Sequence, residues 1–365
     1  QLELKHQTVE DALHSTAGID LKIPTPEKSP EIKNYRHKIQ YPVSQTKNSK
    51  RILAGYYKQN SHEIVNIKYC PIQPKICDKI IDFIRNETQT LGICAYDEKK
   101  HRGELRHIVI RNSAYNGKNL VALVINSKNG AISENLKKLC ENIYGNFEEV
   151  SGVCINFNSA KSNVILGDKT VCVCGKSYIE EKLLDKIFKI GTETFFQVNP
   201  KSAENIFKYV KNYIAENFDK PTVLDAYAGI GTFGICVSDV SSFVVSVEQN
   251  KESVKLAKES AELNNVQNIE IISDDFASFI KNEKRMFDVV IIDPPRKGSD
   301  EESLSKLCKI CKDTLIYVSC DPVTLARDLK FLLKNGCEVI SVKPFDMFCH
   351  TYHIENVAII KMKTK

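Results

Sequence analysis

The chain has 365 residues, 42% hydrophobic and 27% charged, an ordinary globular composition that excludes a disordered chain, a collagen or a disulfide-dense mini-protein. At roughly 150 residues per domain, the length predicts two domains. The net charge of +5 is unevenly spread: residues 1–190 carry 29 Lys+Arg against 21 Asp+Glu, and residues 191–365 carry 22 against 25.

The longest charge-free stretch, 226–238, is thirteen residues, short of the roughly 18–20 that a membrane helix needs. No basic-led apolar leader is present, so neither secretion nor membrane insertion is expected. Thirteen cysteines, an odd number, predict reduced thiols and a cytoplasmic protein. Because the first residue is Gln1 rather than Met, the natural start is expected upstream.

In chain order, a short helix is predicted over the first twenty residues, ending near Gly18, and a connector follows at Pro24, Pro26 and Pro30. Strand-like runs lie at 35–43, 51–57 and 63–67, and an amphipathic helix is predicted over 74–90, with Ile76, Ile80, Ile81 and Ile84 on one face. Further strands fit 105–111, 120–125 and 153–157, with a helix near 132–144. Within this half, Lys33, Arg36, Lys38, Lys47, Lys50, Arg51 and Lys58 occur with no acid between residues 32 and 62, interleaved with Tyr35, Tyr41, Tyr56 and Tyr57. Such a stretch can neutralise phosphates and stack bases, or it can be a solvated lysine-rich surface. Residues 1–190 therefore read as an N-terminal helix plus an α+β central domain, with nucleic-acid binding and a solvated surface both open for its basic stretch.

From about residue 191 strands and helices alternate: a helix at 202–216, a strand at 222–225, a glycine-rich turn, a strand at 243–248, a helix at 251–264 and a strand at 269–272. The strand 287–292 leads to Asp293, a helix is predicted over 303–312, a strand over 314–319 and a helix over 323–334. Two last strands, 338–343 and 355–361, are close enough to pair antiparallel. Alternation of this kind predicts an α/β domain over 191–365, with a mostly parallel sheet, a terminal antiparallel hairpin and ligands at the carboxyl ends of the strands.

The turn Gly229-Ile230-Gly231-Thr232-Phe233-Gly234 matches the dinucleotide fingerprint literally, and Glu248 ends the following strand. Asp225, four residues before the first glycine, is the objection, because a carboxylate there repels a pyrophosphate that needs positive potential. S-adenosylmethionine carries an ammonium and a sulfonium, which an acidic site favours, and ribose hydroxyls that Glu248 can accept from. A methyl-donor site and a nicotinamide site are thus both open, with the first preferred.

Asp293-Pro294-Pro295-Arg296 sits at a strand end facing the same crevice. Methyltransferases acting on exocyclic amines place an aromatic ring after the two prolines, and Arg296 here disfavours amine chemistry. Among the cysteines, Cys320 stands out, since it ends a strand and precedes Asp321-Pro322 and a helix. A helix N-terminus beside it predicts a lowered thiol pKa and an exposed thiolate. Cys308-x-x-Cys311, placed within one predicted helix without a second ligand pair, reads as core rather than as a metal or redox site. In His350-Thr351-Tyr352-His353-Ile354-Glu355, zinc ligation by the two histidines is weighed against delivery of the Glu355 carboxylate to the crevice as a base.

Together these residues resemble a known family. Phe195-Phe196-Gln197-Val198-Asn199-Pro200, the Asp225 turn, Asp293-Pro294-Pro295-Arg296-Lys297-Gly298, Tyr317-Val318-Ser319-Cys320-Asp321-Pro322 and the 350–355 segment occur in the order found in RNA uracil-C5 methyltransferases of the RlmD (RumA) and TrmA type. The first half is similar more loosely, chiefly through Tyr35-Arg36-His37-Lys38. Cys349 stands where that family usually has Pro, and Asp321 where Asn is common.

The resemblance implies a class I, Rossmann-like methyltransferase domain using S-adenosylmethionine. It implies a donor site formed by Gln197, Tyr227, Thr232, Glu248, Asp275 and Asp293, beside the Asp225, Gly229 and Gly231 turn, with Cys320 as nucleophile and Glu355 as base. Longer members carry an iron–sulfur cluster, and Cys70 matches its fourth ligand. The other three ligands would lie upstream of Gln1, so no complete metal site is expected within this chain.

Val198 and the run Thr324-Leu325-Ala326-Arg327-Asp328 resemble the 23S ribosomal RNA branch more than the transfer RNA branch. The expected activity is therefore C5 methylation of uridine in ribosomal RNA by a cytoplasmic monomer, with transfer RNA as the alternative substrate. Cytosine-C5 methylation is disfavoured, because no Pro-Cys pair follows Asp293. A nicotinamide-dependent oxidoreductase and a catalytically silent RNA-binding module are the readings from other classes.

Overall fold

A computed structural model describes residues 1–363, which divide into two compact units. One comprises Lys33–Glu181 and Lys189–Glu193; the other comprises Gln1–Ile32, Lys182–Phe188 and the chain from Thr194 onward.

Helix α1 (Leu2–Ala12) runs into a single π turn, Leu13–Ala17, and stops at Gly18, whose φ of 66° ends the helix at little steric cost. The helix is where the sequence predicts it, and the units change at 193/194, close to the expected 190, but the placing of the first 32 residues with the central domain needs correction. Val9, Leu13, Ile19 and Ile23 are buried in the same core as Leu224, Val290 and Leu329, so the first 32 residues complete the later unit and not the central one. The reason is apolar demand, since these side chains cover α/β core surface that would otherwise face water. Lys5 is buried with them, its Nζ donating to Asp346 Oδ1 (2.6 Å) and to the Phe348 carbonyl (3.0 Å). A charge this deep is stable only with its partner in place.

The central unit contains β1 (Lys38–Gln45), β2 (Ile52–Tyr57), β3 (Ile64–Asn66), α2 (Lys75–Thr90), β4 (Leu105–Asn112), β5 (Asn119–Ile125), α3 (Glu134–Asn146), β6 (Val150–Phe157) and β7 (Lys169–Gly175). They form one sheet in the order β3-β2-β1-β4-β5-β6-β7, antiparallel except between β5 and β6. The apolar faces of α2 and α3, with Ile80, Ile84, Leu139 and Ile143, pack into its core. Strand alternation turns Ile39, Tyr41 and Val43 inward. Tyr41 and Tyr35 are accordingly buried and cannot stack on a base, which leaves Tyr56 and Tyr57 as the exposed rings of the basic stretch.

The hairpin β8 (Tyr178–Leu183) and β9 (Lys186–Gly191) follows. The second unit then runs α4 (Pro200–Asn217), β10 (Thr222–Ala226), α5 (Thr232–Val237), β11 (Phe243–Glu248), α6 (Lys251–Leu263), β12 (Ile269–Ser273), α7 (Phe276–Asn282), β13 (Phe287–Ile292), α8 (Glu301–Ile310), β14 (Cys311–Ser319), α9 (Pro322–Lys334), β15 (Glu338–Phe345) and β16 (Glu355–Lys361). Its sheet order is β12-β11-β10-β13-β14-β16-β15, with the first five strands parallel and β16 antiparallel to both β14 and β15.

Buried runs such as Val289–Ile292 and Leu315–Val318 are what a parallel strand covered on both faces requires. The α/β class with a mostly parallel sheet and a terminal antiparallel hairpin is the fold expected from the sequence. Strand order reverses between β10 and β13, so a crevice opens at their carboxyl ends. One local expectation fails here. Helix α8 stops at Ile310 and Cys311 opens β14, so the Cys308 sulfur lies 3.7 Å from that of Cys337 instead.

Candidate active site

A cavity of about 1130 Å³ occupies the crevice. Of the residues singled out in the sequence, Gln197, Tyr227, Gly229, Glu248, Asp275, Asp293, Cys320 and Glu355 line it. Thr232 faces a narrow annex of about 20 Å³, shared with Gln197, Tyr227 and Asp293. Asp225 and Gly231 line neither space.

The turn after β10 explains that exception. Asp225 is completely buried, and its side chain is directed at the start of α5 rather than off the end of the strand. Its Oδ2 accepts from the Gly234 N–H (2.8 Å) and from Ser246 Oγ (3.2 Å), and its Oδ1 has no hydrogen-bond partner among the described residues. Burial pushes this carboxyl up to about 7. Asp225 thus braces the turn, and the expectation that it faces the donor is corrected.

Gly231 caps α5 with φ 75°, a left-handed conformation that glycine adopts without strain. Gly234 packs so closely that a Cβ would meet Ser246 Oγ at 2.2 Å. Gly234→Ala is therefore expected to destabilise the protein by about 1–3 kcal/mol through overpacking, read as a lowered melting temperature.

Glu248, at the tip of β11, accepts from the Gly229 N–H through Oε2 (2.9 Å) and from the Asn250 N–H through Oε1 (2.7 Å). Its carboxylate therefore ties the tips of two adjacent strands and still has lone pairs to offer the cavity. Asp275 caps α7 by accepting from the Ser278 N–H (3.2 Å). The neighbouring Asp274 does not line the cavity.

Asp293 is half-buried after β13, and burial pushes its carboxyl up to about 7. Cys320 ends β14 half-buried. Its thiol is pushed up to about 11, by burial first, then by the Glu355 and Asp293 carboxylates, with Arg296 opposing them. The protein groups around Cys320 thus shift the thiol upward, opposite to the lowered pKa expected from its place beside a helix N-terminus. Asp321 itself caps α9, accepting from the N–H groups of Val323 (2.9 Å) and Thr324 (3.1 Å), so those donors are not aimed at the sulfur. Glu355 opens β16 opposite Phe345, only 3% exposed, and is pushed up to about 8 by burial and by Asp293, again with Arg296 opposing. Thiol, two carboxyls and one guanidinium thus form a single interacting group.

His350 bonds through Nε2 to the Ile32 carbonyl (2.9 Å), which fixes the segment before Glu355. Among the described residues no group of three or more His, Cys, Asp or Glu is placed to hold a metal, and Cys70 is buried in the central unit. Arg296, Ser299, Phe348 and the exposed Phe195 also line the cavity but carry no role in the sequence reading. The Asp-Pro-Pro-Arg run was the available signal for Arg296, which the sequence reading took only as the absence of an aromatic ring.

Six carboxylates face the cavity, from Glu248, Asp275, Asp293, Asp300, Glu301 and Glu355, against the three cations of Arg296, Lys297 and Arg327. This balance suits a donor bearing an ammonium and a sulfonium and opposes the pyrophosphate of a dinucleotide.

Comparison with known proteins agrees. The model of the tRNA (Uracil-5-)-methyltransferase family matches residues 1–363. An uncharacterized RNA methyltransferase of Clostridium tetani is 36% identical over 364 residues, covering 99% of this chain and 78% of that protein. One from Halalkalibacterium halodurans is 35% identical over 367 residues, covering 100% and 79%. Among solved structures, Pyrococcus abyssi tRNA (uracil-54, C5)-methyltransferase, in complex with S-adenosyl-L-homocysteine, superposes with a TM-score of 0.80 at 26% identity, covering 99% of this chain and 83% of that one. No helix among the described residues is long and apolar enough to cross a membrane. A cavity furnished for a cationic methyl donor and a family match over the described chain lead to one conclusion: this protein belongs to the S-adenosylmethionine-dependent RNA uracil-C5 methyltransferases.

Proposed function

We propose that the protein methylates C5 of uridine in 23S ribosomal RNA by covalent catalysis, with Cys320 as nucleophile and Glu355 as base. The observation that carries this reading is that Cys320 and Glu355, from the ends of β14 and β16, line the same cavity as Glu248 and Asp293. C5 of uracil is a weak carbon nucleophile until something adds at C6. The Cys320 sulfur attacks C6, leaving an enolate whose negative charge makes C5 reactive. Once C5 has taken the methyl group from the donor's sulfonium sulfur, Glu355 takes the C5 proton, and the electrons of that bond expel Cys320 to restore the ring. Splitting one difficult displacement into addition and elimination is what a covalent nucleophile achieves. When bound, S-adenosylmethionine supplies the methyl group, and its sulfonium charge, opposite in sign to most of the lining, favours the ionised forms of Cys320 and Glu355. A base within folded RNA must be extruded to reach such a cavity.

Both reacting groups work deprotonated, and the site holds both pKa values up. kcat/KM is accordingly expected to rise with pH from 6 through about 8, the value to which Glu355 is pushed. A flat profile over that range in a methyl-transfer assay contradicts the roles given to the pair. Glu248→Ala is expected to weaken S-adenosylmethionine binding about 10–100-fold by calorimetry, the loss of hydrogen bonds to a charged acceptor.

Val198 and the 324–328 run support the ribosomal substrate. The likeness to a tRNA (uracil-54, C5)-methyltransferase supports transfer RNA as the second reading. Mass-spectrometric mapping of 5-methyluridine in both RNAs after treatment decides between them, and absence of the product from both overturns the proposal.

A further inference from the structure

We infer that Asp328, on the inner face of α9, is a positioning residue that clamps the 296–299 loop and so holds Arg296 against Cys320. This rests on the roles proposed for Cys320 and Glu355. Asp328 is only 2% exposed, and no substrate reaches a carboxylate so deeply placed. It accepts from Tyr317 Oη (2.6 Å) and from the Ser299 N–H (2.8 Å), and from Arg327 through Nε (2.8 Å) and Nη2 (2.7 Å).

The same helix reaches the loop twice more. Arg327 Nη2 donates to the Lys297 carbonyl (2.8 Å), and Thr324 Oγ1 donates to the Arg296 carbonyl (3.2 Å). Gly298, at φ 75°, lies so close that a Cβ would meet Arg327 Nη2 and Asp328 Oδ2 at 2.5 Å. The loop lines the cavity, while α9 begins at Pro322, two residues after Cys320. The clamp therefore fixes one wall of the site to the other. Arg296 is the cation that opposes the upward pKa shifts of Cys320 and Glu355, whereas burial and Asp293 drive both up and Glu355 adds to the shift of Cys320. Its distance from the thiol sets how readily the thiol ionises.

The test compares wild type with Asp328→Asn. One readout is the pH dependence of Cys320 alkylation by iodoacetamide, followed by peptide mass spectrometry. The others are kcat and KM on uridine-containing RNA, and the melting temperature. The expected result is a folded variant whose Cys320 alkylation midpoint rises by about one pH unit. Its kcat falls about 100-fold, the scale of a small misplacement in an active site, with KM for S-adenosylmethionine little changed. A folded variant with the wild-type midpoint and kcat overturns the inference.

Should Asp328→Asn fail to fold, Thr324→Val removes the tie to the Arg296 carbonyl, together with the hydroxyl's bond to the Asp321 carbonyl within the same turn, and leaves the Asp328 bonds in place. An upward midpoint shift then supports the clamp, and an unchanged one overturns it. If wild type makes no 5-methyluridine, the proposed function fails, while the alkylation comparison still judges the clamp.

Discussion

Cys320→Ala is expected to abolish methyl transfer, with a loss on the order of 10⁴-fold or more, while S-adenosylmethionine still binds. The size of the effect follows from the inertness of uracil C5. Without a sulfur adding at C6, no enolate forms, and nothing else lining the cavity offers a comparable nucleophile. The donor side is untouched, because Gln197, Glu248 and Asp293 stand on other elements. The check pairs a 5-methyluridine assay with calorimetry of donor binding. Turnover within tenfold of wild type removes Cys320 from the mechanism. Loss of donor binding alongside turnover means that the alanine has disturbed the cavity, and the assignment then rests on the adduct described next.

Glu355→Gln, under the proposed mechanism, is expected to stop the reaction one step later. The amide keeps the shape of the side chain but cannot take the C5 proton, so addition and methylation proceed while elimination stalls. A covalent protein–RNA species is expected to accumulate, to survive denaturing electrophoresis and to retain label from the methyl group of the donor. It disappears in the Cys320→Ala/Glu355→Gln double variant, which locates the bond on the sulfur. Normal RNA binding without such a species excludes Glu355 as the base.

Much of the second unit was legible in the sequence because its signals are local. Apolar runs closed by Asp225, Glu248, Asp293 and Cys320 mark strand ends, and strand ends in a parallel sheet share one rim. What stayed hidden depends on partners far along the chain. Asp225 reads as a donor-facing acid, and only the positions of Gly234 and Ser246 show that its carboxylate turns beneath the loop. The thiol of Cys320 reads as activated, but burial first, then Glu355 and Asp293, push it up, and Asp321 already occupies the helix end. Tyr41 reads as an available ring, but strand register turns it inward. The hairpin β8–β9 carries mixed charged and apolar residues with no clean alternation, so no period announces it.

The burial of α1 in the α/β core has a consequence for how the polypeptide is made. Helix α1 is synthesised some three hundred residues before α9, residues 322–334, against which it packs. Until α9 has been made its apolar face lacks that surface, and contacts across so long a separation are slow to form. The central unit, whose strands and helices are nearly contiguous in sequence, can settle while the rest is still emerging. Lys5 can reach Asp346 only after the β15 strand that precedes it has been made, so closing that ion pair follows the assembly of nearly all the strands that carry the cavity residues.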